Sequence, residues 1–256
     1  MEGIGVARDA VPPEPVGPRM NVVQRLVGMY TSPQETFEDV NRAGSWLPIY
    51  IVIAVLVATV AYLPQVRMDH ETYMRKALES NPMTKNMSEE QIKQIVDRPP
   101  SAFQKYSSPF IAAGIVLVVY IVCAACLLLV FVLMGSALNF KKSLAVTIWG
   151  MAPPGIIGVL LAILFMFVKD PDTLEIDASA NVASNLSMLV SKKEHAVLHS
   201  FLGSIDIFSL WTIILLSIGF SVASGGKLSR GKAAAGVVSL WALYVALKLG
   251  FNAIFS

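Results

Sequence analysis

From Tyr106 to Phe140 the chain runs thirty-five residues without a charged side chain. A stretch this apolar is matched to hydrocarbon. A bilayer core about 30 Å thick takes roughly 20 apolar residues as helix, because a helix satisfies its backbone N–H and C=O groups internally where no water can. Four further runs repeat the pattern, giving candidate spans at 46–63, 109–134, 143–168, 207–224 and 233–255. A β-barrel does not fit, since these runs are continuously apolar, whereas barrel strands alternate with period two over about 10 residues. Only 15% of the residues are charged and the mean hydropathy is +0.61, too little polar surface for a soluble chain of 256 residues. The expectation is an all-α polytopic membrane protein: five transmembrane helices preceded by an amphipathic interfacial helix.

Basic residues in the short connections set the expected orientation. Lys141 and Lys142 fall between spans two and three, and Lys227, Arg230 and Lys232 between spans four and five. Both turns are expected in the cytoplasm. Five spans then place the amino terminus inside and the carboxyl terminus outside. The segment 64–108 works against this bias, because its seven basic residues would lie outside beside six acids. Residues 1–20 contain Pro12, Pro13, Pro15 and Pro18 and acidic Glu2, Asp9 and Glu14, which reads as a disordered leader and not as a cleaved signal peptide.

Residues 21–45 form an amphipathic cytoplasmic segment ahead of the membrane domain at 46–255. Val22, Val23, Leu26, Val27 and Tyr30 recur at helical spacing. Ser32-Pro33-Gln34-Glu35 then supplies a helix start, with Ser32 as cap, Pro33 in the first turn and Glu35 returning a bond. Phe37 and Val40 would face headgroups or the bundle. In the connection after span one, Met68 to Ser80 pairs Glu71 with Arg75, and Ser88-Glu89-Glu90-Gln91 repeats the capping-box pattern before Pro99 and Pro100. These predict a small solvated helical pair. The connection 169–203 mixes Asp170, Asp172, Glu175 and Asp177 with a Ser/Asn/Ala-rich stretch, at a spacing that matches no calcium loop.

Few residues offer chemistry. Cys123 and Cys126 make C-x-x-C inside span two, where hydrocarbon raises a thiol pKa and disfavours a reactive thiolate. Packing is the expected role. His195 and His199 share a helix face with Glu194 nearby, yet the order is not H-E-x-x-H and no third ligand follows. No nucleophile stands with a base and an orienting acid, and no basic aromatic patch suits nucleic acid. The expectation is therefore no catalytic residues, no metal site and no cofactor. Asn86 and Asn185 begin Asn-x-Ser sequons in the outer connections.

Two intramembrane features stand out. Gly150, Pro153 and Pro154 interrupt the third span, where proline removes amide donors, so a bend or break is expected there. Asp206 and Lys248 are the charges that approach the membrane interior, and an antiparallel hairpin of spans four and five puts them at one level. An ion pair between them is expected, because each charge is costly alone.

The run Ser204-Ile205-Asp206-Ile207-Phe208-Ser209-Leu210-Trp211, followed by Leu215-Leu216-Ser217-Ile218-Gly219-Phe220, resembles the last two spans of the Yip family of Ypt/Rab-interacting membrane proteins, in its bacterial branch. Tyr30-Thr31-Ser32-Pro33-Gln34-Glu35-Thr36-Phe37 is similar to that branch's Ser-Pro-x-x-x-Phe entry. Trp149-Gly150 with Pro153 resembles its aromatic-Gly and Pro pattern in the third span. The likeness covers roughly residues 21–250. It implies five helical spans and a cytoplasmic amino terminus, and in eukaryotes a link to Rab GTPases and to traffic between endoplasmic reticulum and Golgi. This chain has no Asp-Leu-Tyr-Gly-Pro motif before span one, so small-GTPase binding is not expected. A bacterial plasma membrane is the expected location, with endoplasmic reticulum or Golgi as the alternative.

Two function classes follow. One is a non-enzymatic membrane organiser or adaptor that engages the lipid bilayer and a protein partner at the cytoplasmic face. The other is a small transporter or lipid-handling protein built on the kinked third span. Scarce intramembrane charge favours the first.

Overall fold

The structure is a computed structural model and describes residues 20–81, 84, 87–98, 101–176, 182, 186–190 and 196–255. Ten α-helices follow one another among the described residues: α1 (Val22–Thr31), α2 (Pro33–Ala43), α3 (Leu47–Arg67), α4 (His70–Ser80), α5 (Glu89–Val96), α6 (Ala102–Leu133), α7 (Phe140–Val168), α8 (Ala196–Leu202), α9 (Ile207–Ala223) and α10 (Arg230–Phe255). No strand occurs among these residues. Residues 1–19 of the expected leader and the Asn86, Asn185, Glu194 and His195 positions lie outside the described residues.

Four helices, α3, α6, α7 and α10, are long and apolar enough to cross a membrane. The fourth expected span, α9, is apolar but only 17 residues long, about 26 Å at 1.5 Å per residue. Four spans outrun the expected boundaries, α7 and α10 at their starts and two others through a proline. Helix α3 continues through Pro64 to Arg67, and α6 begins at Ala102 with Pro109 inside it. Proline loses one amide but does not end a helix whose remaining bonds have no water to turn to.

Helix α7 is the axis of the bundle and packs against α3, α6, α9, α2 and α1. From Ser143 to Gly150 every residue of α7 is buried, as an all-round apolar helix requires when neighbours enclose it. Phe131 of α6 stacks on Phe220 of α9 with centroids 4.4 Å apart, and the Ser143 hydroxyl donates to the Ala124 carbonyl at 2.7 Å. Helix α10 lies on α9, α6 and α8. The connections α6–α7 and α9–α10 fall at one end of the bundle, here termed the basic end for Lys141, Lys142, Lys227, Arg230 and Lys232.

At the other end the connection after α3 is docked as well as solvated. Ser88 and Gln91 close the expected capping box, and Glu71 holds Arg75 at 3.1 Å. Arg75 also reaches Glu89 at 3.1 Å, tying α4 to α5. Lys76 donates to the Leu174 carbonyl at 2.7 Å and Arg67 to the Met166 carbonyl at 2.6 Å. Met68, Met166 and Leu174 are buried together beneath Tyr73. Burial raises the Tyr73 phenol above its ordinary pKa, and the Thr72 hydrogen bonds hold the Asp69 carboxyl below its own.

Candidate functional site: the amino-terminal hairpin at the basic end

Helix α1 starts at a capping box: Asn21 accepts from the Gln24 amide at 2.9 Å, and the Gln24 side chain accepts from the Asn21 amide at 2.9 Å. Ser32 separates α1 from α2, and Pro33 opens α2 at its first position. Contrary to expectation Ser32 makes no side-chain cap. Its backbone at φ −144°, ψ 66° lies outside the helical region, which the following proline disfavours, and carries the turn instead, and Thr36 donates its hydroxyl to the Ser32 carbonyl at 3.0 Å. Gly44 ends α2 with φ +59°, a left-handed position that suits glycine.

The hairpin is clamped by a charge pair inside the protein. Arg25 on α1 donates through Nε to Asp39 Oδ2 on α2 at 2.8 Å and through Nη1 to Ser45 Oγ at 2.6 Å. Its Nη2 stands 2.8 Å from the same carboxylate oxygen, off the line of a hydrogen bond, where it contributes charge. Both residues are 2% exposed. The guanidinium carbon lies 5.7 Å from the Trp149 ring, and Trp149 Nε1 donates to the Ser45 carbonyl at 2.9 Å. One arginine thus joins α1, α2, the entry to α3 and the middle of α7.

Apolar contacts complete the seat. Phe37 and Val40 are fully buried against the bundle, which resolves their expected choice in its favour. A Cβ added at Gly219 of α9 would stand 2.7 Å from both Phe37 and Val146, so only glycine lets α2 and α7 approach there. Tyr30 donates its hydroxyl to the Pro153 carbonyl at 3.1 Å and meets the Trp211 ring edge-on at 5.3 Å. The opposite face of α2 stays open. Gln34, Glu35, Glu38 and Arg42 are exposed, Arg230 bonds Gln34, and the Lys141 side chain runs past Gly44 at the end of α2.

The other expected sites behave differently. Helix α7 runs from Phe140 to Val168 without interruption, so Gly150, Pro153 and Pro154 do not break it. Flanking helices enclose this turn, and the two prolines remove only the amides of 153 and 154, leaving the rest of the ladder to hold the helix. Asp206 and Lys248 do not meet as an ion pair. Asp206 caps α9, accepting from the amides of Phe208 at 2.8 Å and Ser209 at 3.0 Å and from the Ser209 hydroxyl at 2.5 Å. Lys248 donates instead to Ser204 Oγ at 3.0 Å. The orphan amides of a helix start outbid a more distant ammonium. Cys123 and Cys126 are free and half-buried on α6, and His199 sits on the short α8.

The hairpin is held as a clamp by its buried charge pair. Arg25 and Asp39 neutralise each other out of solvent, and among the described residues no group of three His, Cys, Asp or Glu is placed to hold a metal. No curated protein and no solved structure matches the chain. The family model of the Yip1 domain matches residues 27–250, from the middle of α1 to the last turns of α10. With that match over most of its length and helices long and apolar enough to cross a bilayer, the chain belongs to the Yip1-domain family of multi-pass integral membrane proteins.

Proposed function

We propose that this chain is a non-enzymatic membrane organiser or adaptor whose α1–α2 hairpin presents a docking face to a protein partner in the cytoplasm. The carrying observation is the division of α2 into two faces. One is pinned through Asp39, Phe37 and Val40; the other displays Glu35, Glu38 and Arg42 in a fixed register beside the basic turns. A pre-ordered surface loses little entropy on binding, and a mixed-charge rim selects partners by complementarity. In this reading α9 spans the membrane as the fourth of five helices, the basic end faces the cytoplasm and the carboxyl terminus lies outside. A bacterial plasma membrane is the proposed location.

The test is a photo-crosslinking residue at Glu38 in native membranes, with Leu129 on the lipid-facing side of α6 as control, followed by mass spectrometry. A recurrent protein adduct at Glu38 and lipid adducts at Leu129 are expected. Lipid adducts at both sites would refute a protein adaptor. A second reading, a small transporter or lipid-handling protein, rests on α7, where Pro153 and Pro154 deprive the Trp149 and Gly150 carbonyls of their i+4 amide donors. Flux or lipid transfer by the purified chain in liposomes would favour it.

A further inference from the structure

We infer that α1 is a half-membrane helix: its outward face is packed by acyl chains of the leaflet at the basic end, below the headgroups, and Arg25 enters that layer only as a neutralised pair with Asp39. The inference is independent of whether α2 recruits a protein.

Depth is read along α7. From Lys142 to Lys169 the rise is about 40 Å, close to a bilayer with its headgroups at about 40–45 Å, so these two lysines mark its two surfaces. Trp149, which lies under Arg25, is about 10 Å in from Lys142, and Pro153, which binds Tyr30, about 16 Å. Hydrocarbon begins about 5–8 Å inside the surface. A helix tilt of about 20° shortens these figures by less than a tenth. The Tyr30 hydroxyl and the Arg25 guanidinium therefore lie at acyl-chain level, and α1 is the helix that carries both.

The chemistry of the outward face agrees with that depth. Val23 is 69% exposed, Val27 55% and Tyr30 38%, and no charged residue stands among them. The one charge of α1, Arg25, is turned inward against Asp39, Ser45 and Trp149. Gln24 spends its carbonyl on the Asn21 amide. A water-facing helix would show the reverse pattern, as α2 does one turn away, with Phe37 and Val40 inward and Glu35, Glu38 and Arg42 outward, its one inward charge being the paired Asp39. The hairpin is thus split by solvent: α1 toward lipid, α2 toward water. The Arg25–Asp39 pair is the seam, since an unpaired arginine at this depth would draw α1 back toward the headgroups.

The experiment uses the full chain with Cys123→Ser and Cys126→Ser, a bimane label at Val27→Cys or, for comparison, at Glu38→Cys, in phosphatidylcholine/phosphatidylglycerol liposomes. Lipids carrying a spin label on the acyl chain should quench position 27 several-fold more than position 38, and aqueous iodide the reverse. Equal iodide quenching at both positions would overturn the inference. So would a position 27 shielded from both quenchers, because protein and not lipid would then cover it. With Asp39→Asn, iodide quenching at position 27 should rise several-fold, whereas Arg25→Met with Asp39→Leu, which removes both charges, should keep the parent value. Iodide quenching that rises with the double variant as it does with Asp39→Asn would overturn the role of the pair, and so would an Asp39→Asn variant that folds and stays shielded.

Discussion

Arg25 and Asp39 sit 2.8 Å apart with each side chain 3% exposed, and between them they fix two helices to the bundle. Removing one partner strands the other charge. Asp39→Asn should cost about 3–5 kcal/mol in unfolding free energy measured in detergent, because an uncompensated buried charge remains. Arg25→Met with Asp39→Leu should cost less than either single change. A double variant as damaged as the sum of the singles would mean that the pair does not act as a unit.

Gly219→Val tests the apolar half of the seat. The added carbons would enter space already held by Phe37 and Val146, so α2 or α7 must move. A loss of about 1–3 kcal/mol is expected, the usual range for overpacking. Tyr30→Phe should cost about 0.5–1.5 kcal/mol, the net value of one hydrogen bond, with the Trp211 contact retained. Thermal melts of both variants give the comparison, and an unchanged Gly219→Val protein would show that the hairpin is not packed as described.

Much of this arrangement is legible in the sequence. Long uncharged runs announce their helices because hydrocarbon leaves no other backbone solution. Ser88 with Gln91 and Glu71 with Arg75 were readable because both are local patterns, and locality survives tertiary context. The Arg25–Asp39 clamp was not readable. Its partners stand on different helices, and the apolar spacing of α1, which reads as an interfacial face, gives no sign that Arg25 turns inward with Gly28 and Met29. Charge neutralisation across a turn leaves no periodic trace. The Asn21-x-x-Gln24 box, by contrast, carried its signal openly as an Asn followed three residues later by Gln. The spacing of Asp206 and Lys248 predicts an ion pair, whereas Asp206 accepts from the backbone amides of its own helix, a local partner that forms before any lysine is reached.

That assignment yields a test. Asp206→Ala removes a cap and should cost about 0.5–2 kcal/mol. Lys248→Met removes only the bond to Ser204. Since the two groups serve different partners, the double variant should add within about 0.5 kcal/mol. A larger coupling energy would restore the ion pair.

The Asp69 cap of α4 gives a pH dependence with a definite sign. Hydrogen bonds from Thr72 depress its pKa in the folded state, so the stabilisation is present above the unfolded value, about 3.9, and is lost as pH falls through the lower folded value. Hydrogen exchange of α4, corrected for intrinsic rates, should stay constant from pH 7 down to about pH 4 and accelerate only below it. Acceleration near pH 6 would assign the transition to another group.

Sidedness decides the whole arrangement. Single cysteines at Glu38, Ser229 and Ser256, in a background lacking Cys123 and Cys126, are to be labelled with an impermeant thiol reagent in intact cells and in opened membranes. Five spans with the hairpin at the basic end require Glu38 and Ser229 to react from the cytoplasmic side and Ser256 from the opposite one. Ser229 and Ser256 reacting from the same side would contradict the five-span arrangement, and Glu38 reacting from the side opposite Ser229 would detach the hairpin from the end where it is placed.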